Sequence, residues 1–271
     1  MATKITDTGA RPLLSLFGFS ARSLAQAYGR TFIRRILLRH PLAAMRGMRY
    51  YLAGRASRSE DRSLLRHGAG EFLHQAATDG ERLLVATGFC EKPLRTAVGG
   101  RDCPAGRFNH RCVYLSSFSQ GARQVRPAPT CGTCFIRVLG RAALQAGASF
   151  AVLTSARDIA HDILIPSLEE GRFARFFFAI CPYSVEPMSL ALLICGLEGY
   201  LTTYEHGACA DYGQWLRADN GDKPERTALS SGSSVRMLQL LEQVAALRQG
   251  RAAPLPSHYE LRDNVYRPRL A

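Results

Sequence analysis

Residues 149–181, SFAVLTSARDIAHDILIPSLEEGRFARFFFAIC, decide the fold. Ser149 to Thr154 is a short apolar run that predicts a strand, and Ala156 to Leu168 carries helical spacing. Phe176 to Cys181 is again a compact apolar run and predicts a second strand. Upstream, Cys134 to Ala146 is helical by spacing and ends at Gly147, where glycine commonly closes a helix. Leu83 to Phe89 predicts a further buried strand. Downstream, the apolar run from Met188 fits a helix or a strand equally well. Strand and helix alternating at this pitch predict an α/β fold, a parallel sheet covered by helices. In such sheets ligands gather outside the carboxyl ends of the strands. Cys90, Thr154-Ser155 and Cys181-Pro182 are therefore expected on one edge.

Three segments follow from this core. Residues 1–60 read as a basic helical arm, 61–250 as a cysteine-rich α/β domain, and 251–271 as a Pro-rich C-terminal tail. Helical spacing covers Ala21 to Arg39, with Phe32, Ile33, Ile36 and Leu37 on one face. His40-Pro41 interrupts it, because proline disfavours helix at the preceding residue and suits the first turn of a new one. A second helix is expected to about Ala53, with Leu42, Met45, Met48 and Leu52 at spacings of three and four. Gly54 to Asp61 is a polar break, and Leu64 to Ala77 predicts another helix. A long helix is expected from about Ser233 to Arg248, after a polar stretch from Cys209 to Thr227.

Charge is unevenly placed along the 271 residues. The net charge is +13, and residues 1–70 set thirteen Lys or Arg against Asp7, Glu60 and Asp61. A basic segment on a near-neutral body suits an anionic partner. An anionic membrane surface meeting residues 21–53 is the favoured partner, since Tyr50, Tyr51 and Phe32 suit an interface. Nucleic acid is disfavoured, because no helix-turn-helix or RNA-binding signature accompanies the charge. No apolar run approaches the ~18 residues that span a bilayer, and the first residues lack the pattern of a secretory signal. A cytoplasmic protein, peripheral on the inner membrane face, is the expectation.

The chemistry lies in the eight cysteines, seven of which fall between Cys90 and Cys195. CPAGRFNHRC, Cys103 to Cys112, precedes CGTC, Cys131 to Cys134. Thiolates two residues apart can face one metal, and a helix start there would lower their pKa. The four-cysteine spacing matches no zinc ribbon, which needs two close pairs. An iron–sulfur cluster, of the 4Fe-4S type, is the expected cofactor on Cys103, Cys112, Cys131 and Cys134, with zinc, a thiol redox centre or no shared site as alternatives. Cys90 and Cys181 stand in reserve as ligands or catalytic thiols, and Cys195 reads as packing. His110, inside the cysteine loop, is an alternative ligand. Asp211, Tyr212, Trp215, Asp219, Asp222, Lys223, Glu225 and Arg226 form a polar constellation; Asp211 and Glu225 are its candidate acid and base, with Cys90 as a candidate catalytic thiol. No phosphate loop, dinucleotide fingerprint or nucleophile elbow is present.

The segment from Cys131 to about Pro187 resembles an uncharacterised cysteine-rich bacterial and archaeal domain of unknown function. It shares CGTC, a helix, an Ala-Gly turn, a strand ending in Thr154-Ser155, a helix and a strand ending in Cys181. The resemblance implies metal or iron–sulfur binding, with Cys131, Cys134 and Cys181 as ligands. The functions in view are an iron–sulfur oxidoreductase or lyase acting on a small or lipid-like substrate, an electron-transfer or maturation protein serving a redox partner, and a structural zinc protein.

Overall fold

The computed structural model describes residues 22–23, 26–53, 62–95, 100–118, 128–132, 134–251 and 256–270. The leader expected over residues 1–20 and the polar break expected over 54–61 lie outside the described residues. The helices are α1 (Ala27–Thr31), α2 (Pro41–Ala53), α3 (Ala69–Asp79), α4 (Val113–Phe118), α5 (Phe135–Gln145), α6 (Ala156–Ile159), α7 (Ile165–Glu170), α8 (Val185–Ile194), α9 (Tyr212–Asp219) and α10 (Ser231–Gln249). A π-helical turn Phe32–Leu37 follows α1, and another, Ala160–Leu164, joins α6 to α7.

Seven strands form one sheet: β1 (Arg62–Leu64), β2 (Leu83–Gly88), β3 (Ser149–Leu153), β4 (Arg175–Ile180), β5 (Glu198–Thr203), β6 (Pro256–Arg262) and β7 (Val265–Leu270). Their order is β1-β5-β4-β2-β3-β7-β6. The centre, β5-β4-β2-β3, is parallel, with Val85 opposite Phe150 on one side and Phe177 on the other. Both edges are antiparallel, so the sheet is mixed, where the sequence suggests a parallel one.

Three segments depart from expectation for physical reasons. Residues 64–77 do not form one helix: β1 ends at Leu64 and α3 begins at Ala69. The apolar run from Met188 is helix only to Ile194; Gly196 then turns the chain into β5. The Pro-rich tail supplies a β-hairpin, closed by Asp263 and Asn264, both at positive φ as a tight hairpin turn requires. Its strands carry mostly polar side chains around buried Tyr259 and Tyr266, so they lack the apolar run of a central strand.

Side chains alternate across the sheet and build two cores. Val85, Phe150, Val152 and Phe177 face α3, α5 and α10, which contribute Phe72, Leu139 and Leu241. Leu84, Phe176 and Phe178 face the other side, where Ile163, Leu192 and Ile194 pack. The basic arm belongs to this second core, since Ile36 and Tyr51 are buried in it. Gly47 allows the contact: a Cβ there would lie 2.4 Å from the Ile194 Cα, so α2 and α8 meet backbone to backbone.

From β2 the chain moves to β3 on one side, then crosses back to β4 on the other. The carboxyl ends of β2 and β4 therefore flank a crevice at the point where the winding reverses, the usual ligand position of a doubly wound sheet. Gly88 to Cys90 and Ile180 to Cys181 stand at its base.

Candidate functional site

Seven cysteines divide into two groups at this edge, with the segment after β2 running between them. Cys103, Cys112, Cys131 and Cys134 line one small cavity of about 10 Å³. Cys90, Cys181 and Cys209 line another of about 540 Å³. Cys195 is apart from both, packed in the second core as its apolar surroundings suggest.

The four-thiol nest is assembled by local hydrogen bonds. The Cys103 N–H donates to the Pro93 carbonyl (3.0 Å), which ties the CPAGRFNHRC loop to the segment after β2. The Cys112 N–H donates to the Tyr266 hydroxyl (2.7 Å), reaching the C-terminal hairpin. Cys134 is the residue preceding α5, and its N–H donates to the Cys131 carbonyl (3.3 Å). Burial raises the Cys112 thiol to about 11, opposed by amides of Leu115 and Tyr114 that donate to its sulfur. Burial likewise raises Cys134, opposed by amides of Arg137 and Ile136, and raises Cys131. The helix start therefore does not make these thiols acidic; losing water outweighs the first-turn dipoles.

Lys92 is the group that sequence reading missed. Only 1% of it is exposed, and its ammonium donates to the Gly106 carbonyl (3.1 Å), the Asn109 carbonyl (2.7 Å) and the Asn109 side-chain oxygen (2.9 Å). Burial lowers its pKa, and the thiols of Cys103, Cys112 and Cys134 act in the opposite direction. Those thiols are the anion-forming groups it faces. The signal was compositional: the chain has 32 Arg and 3 Lys among its 35 basic residues. Lys92 and Lys223 are both buried, one at each cysteine group.

His110 does not join the nest. Its ring contacts the Val152 carbonyl (3.0 Å) and the Thr154 hydroxyl (3.1 Å), and Asp158 lies 3.5 Å away. Asp158 is held well below the ordinary carboxylate range by that histidine.

The larger cavity is walled by apolar side chains from both arm and body, including Phe32, Leu37, Met48, Leu153 and Ile180. Its polar groups are few. The Cys209 N–H donates to Cys181 Sγ at 3.4 Å. A hydrogen bond from the Cys181 thiol, aided by nearby Lys223, lowers Cys209 to about 7 despite burial. The same pairing raises Cys181, and burial raises Cys90 to about 11. Asp219 reaches the wall and accepts from the Ala156 N–H (2.5 Å); burial raises it to about 6. At the base, the Gly88 N–H donates to the Tyr204 hydroxyl (2.7 Å). A Cβ on Gly88 would lie 2.9 Å from Cys90 Sγ, so glycine lets the strand end pass beneath the thiol.

The two carboxylates singled out by sequence lie elsewhere. Asp211 is exposed and caps α9 by accepting from the Gln214 N–H (2.9 Å). Glu225 is exposed and pairs with Lys223 (2.9 Å). Trp215 lines the cavity and packs edge-on against Tyr28 of the arm, with centroids 5.3 Å apart. Cys181, implied by resemblance to share a site with Cys131 and Cys134, is in the cavity group.

Among the described residues, no three or more His, Cys, Asp or Glu side chains converge as a ready site for a single metal ion. None of the described helices is long and apolar enough to cross a membrane. No family model matches the chain, and no curated protein or solved structure does.

Proposed function

We propose that this is an iron–sulfur protein in which Cys103, Cys112, Cys131 and Cys134 hold a cluster, beside a cavity that takes an apolar, lipid-like molecule for redox chemistry. The observation that carries the reading is Lys92. Lys92 lines the same small cavity as the four thiols, and they favour its ammonium against the effect of burial. Thiolates are soft ligands that suit iron–sulfur clusters, zinc and cuprous copper. Zinc would draw its sulfurs to ≈2.3 Å from one centre. A cluster spreads its ligands over several irons. The enclosed space is small, about 10 Å³, so loading requires the nest to open. Cys103 is the least buried of the four.

The cluster, when bound, would supply one-electron transfer, its four irons all held by cysteine. The chain's own residues do the rest. Lys92 balances thiolate charge, and amides following Cys112 and Cys134 donate to their sulfurs. The apolar walls bind the substrate and exclude water. Asp219, with its carboxyl near neutrality, holds or releases a proton there, and Cys209 is the most acidic thiol in reach. The link between the sites is covalent and short: Cys90 faces the cavity, and Lys92 and Pro93 line the nest.

The test is an absorption spectrum with iron, sulfide and zinc analysis on protein purified without oxygen. A broad band near ~400 nm with roughly four irons per chain supports the reading. Stoichiometric zinc, or thiols without metal, overturns it.

A further inference from the structure

The arm has two faces, and only one is used by the fold. Gly47 and Tyr51 of α2 are buried against α8, with Ile36 beside them in the core. The opposite face of α2 carries Leu42 (72% exposed), Met45 (58%) and Leu52 (50%), and Leu38 (71%) lies just before the helix. These positions follow helical spacing and form one stripe, an arrangement that soluble surfaces seldom leave uncovered. Arg46 and Arg49 are exposed along the same stripe, residues 38–53 contain no acidic side chain, and Arg39, also exposed, lies 3.8 Å from Glu169.

We propose that this face of α2 docks on an anionic lipid bilayer, its leucines and methionine among the acyl chains and its arginines at the headgroups. Apolar side chains interleaved with arginine suit that boundary, because the guanidinium can reach the headgroups while its stem stays apolar. Charge disfavours the other occupants. A second copy packed by two-fold symmetry would set the same arginines against each other. Residues 1–21 contain Lys4 and Arg11 against Asp7 and offer no anionic surface. Nucleic acid would satisfy the arginines but not the leucines.

The position has a consequence for the apolar cavity. Leu37, Ala44 and Met48 of the arm line it, and Met48 is also 39% exposed beside the stripe. A docked arm sets the cavity against the acyl region, the source of a lipid-like ligand. Docking itself stands on the surface alone; only this delivery role rests on the function proposed above.

The test is co-sedimentation of the full chain with phosphatidylcholine vesicles, with and without phosphatidylglycerol. Binding is expected to the anionic vesicles and to fall in high salt as screening grows. Leu42→Glu/Met45→Glu, at exposed positions, is expected to reduce it at least ~10-fold, since both apolar anchors are lost. Each of Arg46→Gln and Arg49→Gln is expected to cost roughly fivefold. The readout is independent of metal content, so failure of the cluster reading leaves it intact. Equal binding to both vesicle types, no binding, or tighter retention by a DNA duplex would overturn the proposal. So would a dimer abolished by the Leu42→Glu/Met45→Glu change, or vesicle binding that emerges only after residues 1–20 are removed.

Discussion

The backbone N–H of Cys209 points at Cys181 Sγ across 3.4 Å, joining the loop after β5 to the end of β4. By itself this N–H donation favours a thiolate on Cys181; the inequality of the two thiols comes from their side-chain pairing, which acts the other way. The hydrogen bond from Cys181 stabilises a thiolate on Cys209, and Lys223 adds a positive charge from the same side.

Cys209 is accordingly the cavity thiol expected to react first with a small alkylating agent. Its rate against pH should rise below the ordinary thiol range, while Cys90 and Cys181 react only at higher pH. Cys181→Ala removes the donor and should move that midpoint upward, slowing reaction at pH 7 by about tenfold, one pKa unit's worth. Mass spectrometry of iodoacetamide-treated protein identifies the modified residue. An unchanged rate profile in Cys181→Ala would show that the pairing does not set the reactivity.

Glu91 gives a stability prediction with a definite sign. It is 2% exposed, receives a hydrogen bond from the Thr87 hydroxyl, and burial raises it from 4.5 to about 7. The folded chain therefore holds the proton more tightly than the unfolded chain. Stability from this group is full below about pH 4.5 and is lost as pH rises through about 7. Glu91→Gln should flatten that loss, gaining of order 3 kcal/mol relative to the native chain at pH 8 while differing little at pH 4. Urea titrations at both pH values check it.

The contact between Gly47 and Ile194 should fix the arm. Adding a methyl in Gly47→Ala places it against backbone, with little freedom to relax, and should cost about 1–3 kcal/mol. Trp215, the one tryptophan, packs on Tyr28 of the arm and reports on that seating. Its emission should shift to the red in Gly47→Ala if the arm loosens; an unshifted spectrum with unchanged melting would show that α8 accommodates the methyl.

Lys92 should not tolerate arginine. Three oxygens between 2.7 and 3.1 Å surround a compact ammonium in a site that is 1% exposed. A guanidinium keeps the charge but needs more room and a planar set of acceptors. Lys92→Arg should therefore lower the metal content as much as Lys92→Met, despite conserving charge. Full metal content in Lys92→Arg would show that charge alone, without the cage, suffices.

Much of the core was legible because its signals are local. Residues 149–181 carry strand, helix and strand in dense apolar runs, and β2, β3 and β4 are indeed central. The edge elements were harder to read. β5, EGYLTT, next to the edge strand β1, mixes polar with apolar residues, and the hairpin buries only scattered aromatic side chains. Placement of the cysteines was partly legible, because strand ends share an edge once the sheet is known. Their division into two groups was not, since it depends on where the long loop after β2 folds back. Asp219, rather than Asp211 or Glu225, reaches the cavity; that distinction turns on how α9 and the loop after it seat against the body, and four acids in one short stretch look alike in sequence. Lys92 looked ordinary because burial of a lysine leaves no periodic trace.

The most direct measurement is iron and sulfide content, determined without oxygen, across seven single Cys→Ser variants with Cys195→Ser as the control. The account predicts a split: Cys103→Ser, Cys112→Ser, Cys131→Ser and Cys134→Ser lose the cluster, whereas Cys90→Ser, Cys181→Ser, Cys209→Ser and the control keep it. Iron that survives in the nest variants, or disappears with the cavity variants instead, would contradict it.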